Sequence, residues 1–442
     1  MSSINIFGKL RSNFNGYTLN AYMKSKALIN ASPGPAQIPQ RVLACITNEM
    51  KGYTNEYQFG NTPLEISHRS PEFTSIMSSL NSNMRAFMKI PDEFDILWTP
   101  GGGHGQFAAI PLNLRKLLNT KPLYYAVNGT WSNRAFQESK QFINSRNIFE
   151  EDYEPQQNVL QYNTMPTIDK AKLMKNSYLY LCSNETVNGI EFREENIAYP
   201  TREELRECKL IVDMSSDFLM KSINWDKIDI AFACSSKNMG VAGANIVIIR
   251  KDIITQLKEQ EQEQQEQQEQ EEQEQEQEKE KELQRQKMEL PSILNWEIYS
   301  KTGSLYNTPA IFNLYLVDKL LQYYTSIGNI EYINKQTIRK GKIIYDFLDS
   351  SVLFSACVKE KDIRSNINIP FIVNNGCVET RNKFLHFCYL NNLVGLRTKT
   401  PFSYDELNII EPLRINLYNG VSVEETKSIA NILQKFENLY FT

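Results

Sequence analysis

Histidine is scarce in this 442-residue chain: His68, His104 and His386 are the full set. That argues against a multi-histidine metal centre. Cysteine is modest and unpaired in pattern. Cys45, Cys182, Cys208, Cys234, Cys357, Cys377 and Cys388 are odd in number and widely spaced, with no Cys-x-x-Cys. Neither a disulfide framework nor a structural zinc site fits, and a reducing, cytoplasmic compartment is expected. No stretch approaches the ~20 apolar residues that span a bilayer, so no membrane partner is expected. Acidic residues are absent before Glu49, whereas Lys9, Arg11, Lys24 and Lys26 occur there. Residues 1–29 therefore read as an N-terminal extension, either a disordered or packed arm or a weak organelle-targeting segment.

The formal net charge of −4 conceals an asymmetry. Lys258–Lys287 holds twelve Glu and five Lys or Arg, a contribution of −7, so the remaining residues carry +3. A mildly basic body suits anionic substrates and is too weak a signal for a nucleic-acid partner. Glu259–Lys281 contains only Glu, Gln and Lys. With no apolar residue to bury, it cannot join a core, and residues 258–289 read as a low-complexity insertion.

From Asp95 to Arg250 short apolar runs alternate with helical stretches. The runs are Asp95–Trp98, Leu123–Val127, Tyr178–Cys182, Leu210–Met214, Ile228–Cys234 and Asn245–Arg250. This pattern predicts an α/β domain on a mostly parallel sheet, over residues 30–308. A helical stretch over Pro309–Ile327 opens a C-terminal region, 309–442, with strand-like segments at Ser351–Val358, Ile367–Val373, Asn392–Arg397 and Leu413–Tyr418 and a last helix from Val423 to Phe436. This predicts a smaller α+β domain joined through a connecting helix.

Ligands in open parallel sheets bind at the carboxyl ends of strands, so the polar residues after these runs are the candidates for chemistry. Ser235-Ser236-Lys237-Asn238-Met239-Gly240 places a lysine in a Gly/Ser-rich turn between two apolar runs. A lysine there can form a Schiff base with an aldehyde, which requires the neutral amine that partial burial favours; by itself, a lysine in a strand-end loop is far more often a solvated surface residue. Asp213 ends the run Leu210-Ile211-Val212-Asp213, either as the partner of a pyridinium or as a helix cap. Gly101-Gly102-Gly103-His104-Gly105 can bring backbone N–H groups to a phosphate at a helix start, and lacks the Gly-Lys-Ser/Thr ending of a P-loop. Trp131 can stack on a flat ring or pack in the core. Thr186 can offer a hydroxyl or cap a turn, and Asn307 and Thr308 sit where an N-cap would precede the Pro309 helix.

The ordered set GGGHGQF, NGTWS, CSNETVNGIEF, IVDMSSDFL, SSKNMGVAG and SLYNTPAIF, with SPGPAQIP and EISHRSPEF before it, resembles the phosphoserine aminotransferases. The resemblance runs from Asn30 to Phe436 outside the insertion. It implies the fold-type-I architecture of pyridoxal-phosphate transferases and a homodimer with active sites shared at the interface. It further implies Lys237 as the cofactor's Schiff-base lysine, Asp213 as pyridinium partner, Trp131 as stacking ring and Thr186 as a cofactor contact. Gly103, His104 and Ser236 would hold the phosphate, and Asn307 and Thr308 would reach the neighbouring subunit's cofactor. Arg414 would bind the substrate α-carboxylate, and His68, Arg69 and Arg397 its distal phosphate or carboxylate. The substrates implied are glutamate and 3-phosphohydroxypyruvate. His386 matches no family position and reads as structural. Four departures stand out: Ser236 where the family has Gln, Leu396 where it has His, a longer linker between Arg397 and Arg414, and Pro33 where it often has Ser. Other readings of these residues are a fold-type-I aminotransferase of unphosphorylated acids, a weakly active cofactor-binding protein, and an interaction protein using the Glu/Gln segment.

Overall fold

A computed structural model describes residues 28–55, 62–149, 168–193, 201–205, 207–259, 290–397 and 412–442. The N-terminal extension up to residue 27, insertion residues 260–289 and linker residues 398–411 lie outside the described residues.

Seven strands form the central sheet, in the order Phe94–Gly101, Gly243–Arg250, Ile230–Cys234, Lys209–Asp213, Tyr178–Cys182, Leu123–Ala126, Ser145–Asn147. Gly243–Arg250 runs antiparallel to both neighbours, and every other pairing within the chain's sheet is parallel. All six apolar runs of the sequence are therefore strands. The short edge strand Ser145–Asn147 was not expected, because Ser-Arg-Asn carries no apolar pattern. Both faces of the sheet are buried, and side-chain alternation divides the runs between them. Leu210, Val212, Ala231 and Ala233 feed one apolar cluster, while Ile211, Ile230 and Phe232 feed the other. Near-continuous apolar strands are what a doubly covered sheet requires.

Three of the helices start where the sequence supplies capping side chains. Ser70 accepts the Phe73 N–H ahead of Pro71–Met88, with Pro71 in the first turn. Asn329 caps Ile330–Ser350, and Ser422 with Glu425 forms a reciprocal capping box on Val423–Tyr440. Each such cap contributes about 1 kcal/mol. The connecting helix runs Ile311–Ile327 and has Ala310 as its cap, with no side-chain hydrogen bond. The N-cap expectation for Asn307 and Thr308 is thereby corrected: Pro309 and Ala310 stand between them and the helix, and Asn307 Oδ1 instead accepts from Tyr299 Oη at 3.4 Å.

A three-stranded antiparallel sheet, Phe354–Ala356, Asn368–Val373 and Leu413–Asn416, packs against the helices Ile330–Ser350, Val378–Leu390 and Val423–Tyr440. Ile29–Asn30 pairs in parallel with Leu393–Val394, and Ile29 and Ala31 join this C-terminal apolar cluster. The first described residues thus belong to the C-terminal core and then cross to the mouth of the central sheet. His386 is exposed on the helix Val378–Leu390. Among the described residues no helix is long and apolar enough to cross a membrane.

Candidate active site

The carboxyl ends of the parallel strands, Gly101, Cys182, Asp213 and Cys234, meet around a cavity of about 160 Å³. Its lining includes Gly103, His104, Trp131, Thr186, Asp213, Ser236 and Lys237, seven of the residues singled out in the sequence. They come from strand ends, turns and helix starts spread over more than 130 positions of chain, which the parallel topology brings to one rim.

Lys237 occupies the turn after Ile230–Cys234 and is half-buried. Its Nζ donates to the Pro33 carbonyl and lies 5.9 Å from the centre of the Tyr418 ring. Asp213 is buried at the end of Lys209–Asp213, where its carboxylate accepts from Tyr180 Oη at 3.1 Å and from the Ser215 N–H at 2.9 Å. Burial pushes its pKa up to about 6, with those hydrogen bonds pulling the other way. A buried carboxylate held by neutral donors favours a cationic partner.

The helix Gly103–Leu118 begins at the cavity with Gly102 as its cap and no side chain on its first N–H groups. That positive end suits an anion. His104 packs between Phe107 and Trp131, with ring centres 5.2 and 6.0 Å away. Trp131 is partly buried, and its indole N–H has no hydrogen-bond partner among the described residues. Ser236 Oγ lies 3.4 Å from Cys234 Sγ.

Two site residues escaped the sequence reading. Glu185 is fully buried and accepts from the Trp131 N–H, the Ser132 N–H and Ser132 Oγ at 2.7–2.9 Å. It acts as the N-cap of the helix Thr130–Ser139, whose own cap position is Gly129. A helix start lacking a capping side chain was the available signal, but not which residue would supply one. Tyr418, beside Lys237, reads in sequence as ordinary core aromatic.

The residues expected at the substrate do not line this cavity in the single chain. Arg414 is buried on Leu413–Asn416 and donates Nη1 to the Thr186 carbonyl at 2.5 Å; its Nε has no partner among the described residues. Burial lowers its pKa to about 10. Arg69, Arg397 and Thr308 are exposed, and His68 and Asn307 are half-buried. A larger cavity, about 430 Å³, lies behind Met214 and Ser183. Its Lys221 is paired with Glu191 and Asp217.

The aminotransferase class-V family matches residues 28–425. The chain is 32% identical to a probable phosphoserine aminotransferase of Caenorhabditis elegans over 94% of this chain and 98% of that one. It superposes on the phosphoserine aminotransferase of Bacillus circulans subsp. alkalophilus with a TM-score of 0.74 at 26% identity, covering 94% and 100% of the two chains. A pyridoxal-phosphate-bound phosphoserine aminotransferase of Trichomonas vaginalis gives a TM-score of 0.75 at 27% identity over 92% of this chain and all of that one. The fold is that of the fold-type-I transferases. With full-length likeness in sequence and in structure, this chain belongs to the class-V aminotransferases and, within them, to the phosphoserine aminotransferase family.

Proposed function

We propose that the chain moves an amino group between glutamate and 3-phosphohydroxypyruvate, giving O-phosphoserine and 2-oxoglutarate, with pyridoxal 5′-phosphate as cofactor. The observation that carries the reading is the convergence of Lys237, Asp213 and the open helix start at Gly103 on one cavity. The residues present fit the cofactor. A buried carboxylate of raised pKa awaits a cation, an uncapped helix end awaits an anion, and an unpartnered indole N–H lines the space between.

In this reading Gly103 and His104 hold the phosphate with backbone N–H groups, and Ser236 adds a hydroxyl. Asp213 would pair with the cofactor's cationic nitrogen, and Trp131 and Thr186 would help to hold its ring. When bound, the cofactor supplies the electron sink that stabilises a carbanion at the substrate Cα. Lys237 Nζ would anchor the cofactor; once free, the amine would take the proton leaving the substrate Cα and return it to the cofactor's C4′ as general acid. Arg414 clasps the α-carboxylate, for which a planar guanidinium is geometrically suited. His68, Arg69 and Arg397 hold the distal anion, carboxylate in one half-reaction and phosphate in the other. Two chains form each site in a homodimer, with Asn307 and Thr308 reaching the phosphate held by the partner. Exposure of Thr308 outside its own chain's cavity supports that arrangement.

A coupled assay with glutamate and 3-phosphohydroxypyruvate, run against unphosphorylated 2-oxo acids at equal concentration, tests the reading. The phosphorylated acid should be preferred by kcat/KM. Equal or better turnover of an unphosphorylated acid would replace the substrate assignment while leaving the reaction class standing.

A further inference from the structure

Lys340 lies on the helix Ile330–Ser350 of the C-terminal core, far in sequence from every site motif, and is only 3% exposed. Its Nζ donates to three carbonyls: Leu417 at 2.8 Å, Tyr418 at 2.9 Å and Val421 at 2.9 Å. An ammonium has three N–H donors and no acceptor, so all its capacity is spent on one turn. Burial draws its pKa down to about 7, with Glu425 opposing. Placing a lysine at such cost where a neutral residue could pack calls for a reason.

The turn that Lys340 ties is the one that touches Lys237. Tyr418 Oη donates to the Pro33 carbonyl at 3.2 Å, the same oxygen that receives Lys237 Nζ. The Asn419 N–H donates to Asn238 Oδ1 at 3.0 Å, next in chain to Lys237. Gln37 Nε2 donates to the Gly420 carbonyl at 2.9 Å, and a side chain at Gly420 would run into the Gln37 backbone. Three successive residues of the turn therefore bear on the two segments that carry Pro33 and Lys237.

We infer that Lys340 is a positioning residue for the aminotransferase site: by saturating the carbonyls of the Leu417–Val421 turn it holds Tyr418 and Pro33 against Lys237, and so sets how firmly the cofactor is retained. The inference rests on the cofactor reading above. It differs from a merely structural role in requiring that Lys340 act through Tyr418.

The test uses full-length holoenzyme, with pyridoxal phosphate as probe, and the variants Lys340→Met, Tyr418→Phe and the double variant. The readouts are cofactor dissociation constant, visible circular dichroism per bound cofactor, and urea midpoint. Lys340→Met is expected to weaken cofactor binding about tenfold and to reduce the dichroism. Adding Tyr418→Phe should worsen binding by less than about twofold, because both changes break one chain of contacts. Unchanged cofactor affinity in Lys340→Met, or a double variant whose loss is the product of the single losses, would overturn the inference. Should the methionine variant not fold, Lys340→Gln takes its place with the same two outcomes. Wild-type protein that takes up no cofactor would instead overturn the functional reading.

Discussion

Glu185 Oε2 accepts the backbone N–H of Trp131 at 2.9 Å, across 54 residues of sequence, and so fixes the start of the helix from which the Trp131 ring faces the cavity. Burial raises the Glu185 pKa, while hydrogen bonds from Ser132 and Trp131 oppose the rise. Removing the carboxylate orphans donors at a buried helix end. Glu185→Ala is expected to cost about 2–3 kcal/mol of stability in urea unfolding. It should also weaken pyridoxal phosphate binding, read by fluorescence, because the ring loses its footing. Full stability and affinity in the alanine variant would reduce Glu185 to a bystander.

Asp213 gives a pH dependence of definite sign. Its folded-state pKa of about 6 lies above the unfolded value, so the folded chain holds a proton that the unfolded chain has already lost. The group's contribution is most favourable below about pH 4, falls as pH rises to about 6, and is level above that. Without cofactor, Asp213→Asn should therefore raise thermal stability at pH 7.5, by about 1–3 kcal/mol, and leave stability at pH 4 nearly unchanged. With cofactor the same variant should lose most turnover, since the interaction is needed most as the carbanion develops. An Asn variant that is both active and no more stable would remove Asp213 from the proposed mechanism.

Borohydride treatment of the holoenzyme should fix the cofactor on Lys237, and Lys237→Ala should abolish the label. Lys221, held by Asp217 and Glu191, and Lys251, beyond the opposite end of the sheet, should stay unlabelled. Mass mapping of the reduced peptide decides this, and label on either of those lysines would reassign the site.

Gly34 adjoins Pro33, with φ of +136°, and a Cβ there would sit 2.5 Å from Lys237 Nζ. Gly34→Ala should therefore impair cofactor attachment out of proportion to any loss of fold. Absorbance of the attached cofactor, compared with far-ultraviolet dichroism of the same sample, separates the two effects. An alanine variant with normal cofactor content would show that Lys237 does not need the space beside Gly34.

The shared-site proposal can be tested by complementation. Lys237→Ala cannot attach the cofactor, and Asn307→Ala with Thr308→Val should bind it poorly. In a mixed dimer one site gathers both defects and the other neither. Random exchange at equal amounts makes about half the dimers mixed, so about a quarter of wild-type activity should return. Mixed dimers verified by mass tags that remain inactive would show that each site draws on one chain.

How much of this was legible in the sequence depends on the range of the interaction. Apolar runs such as Tyr178–Cys182 announced strands because a doubly covered sheet demands buried residues on both faces. The caps Ser70, Asn329 and Ser422 act within a few residues of chain, so their signal is local, although the sequence was read for helices there by apolar pattern and not by cap. Motif order alone indicated Lys237, Asp213 and Trp131, since turns after parallel strands share one rim. Partnerships across long separations could not be read. Glu185 reads as a polar turn residue until Trp131 is brought to it, and Lys340 reads as a solvated helix lysine until the Leu417–Val421 turn closes over it. Likewise Ile29–Asn30 precedes the large sheet in sequence yet pairs with Leu393–Val394. Local chemistry determined which residues could cap, stack or bear charge; only the tertiary packing decided which of them are buried and against what, because burial and desolvation are properties of the assembled neighbourhood and not of the residue.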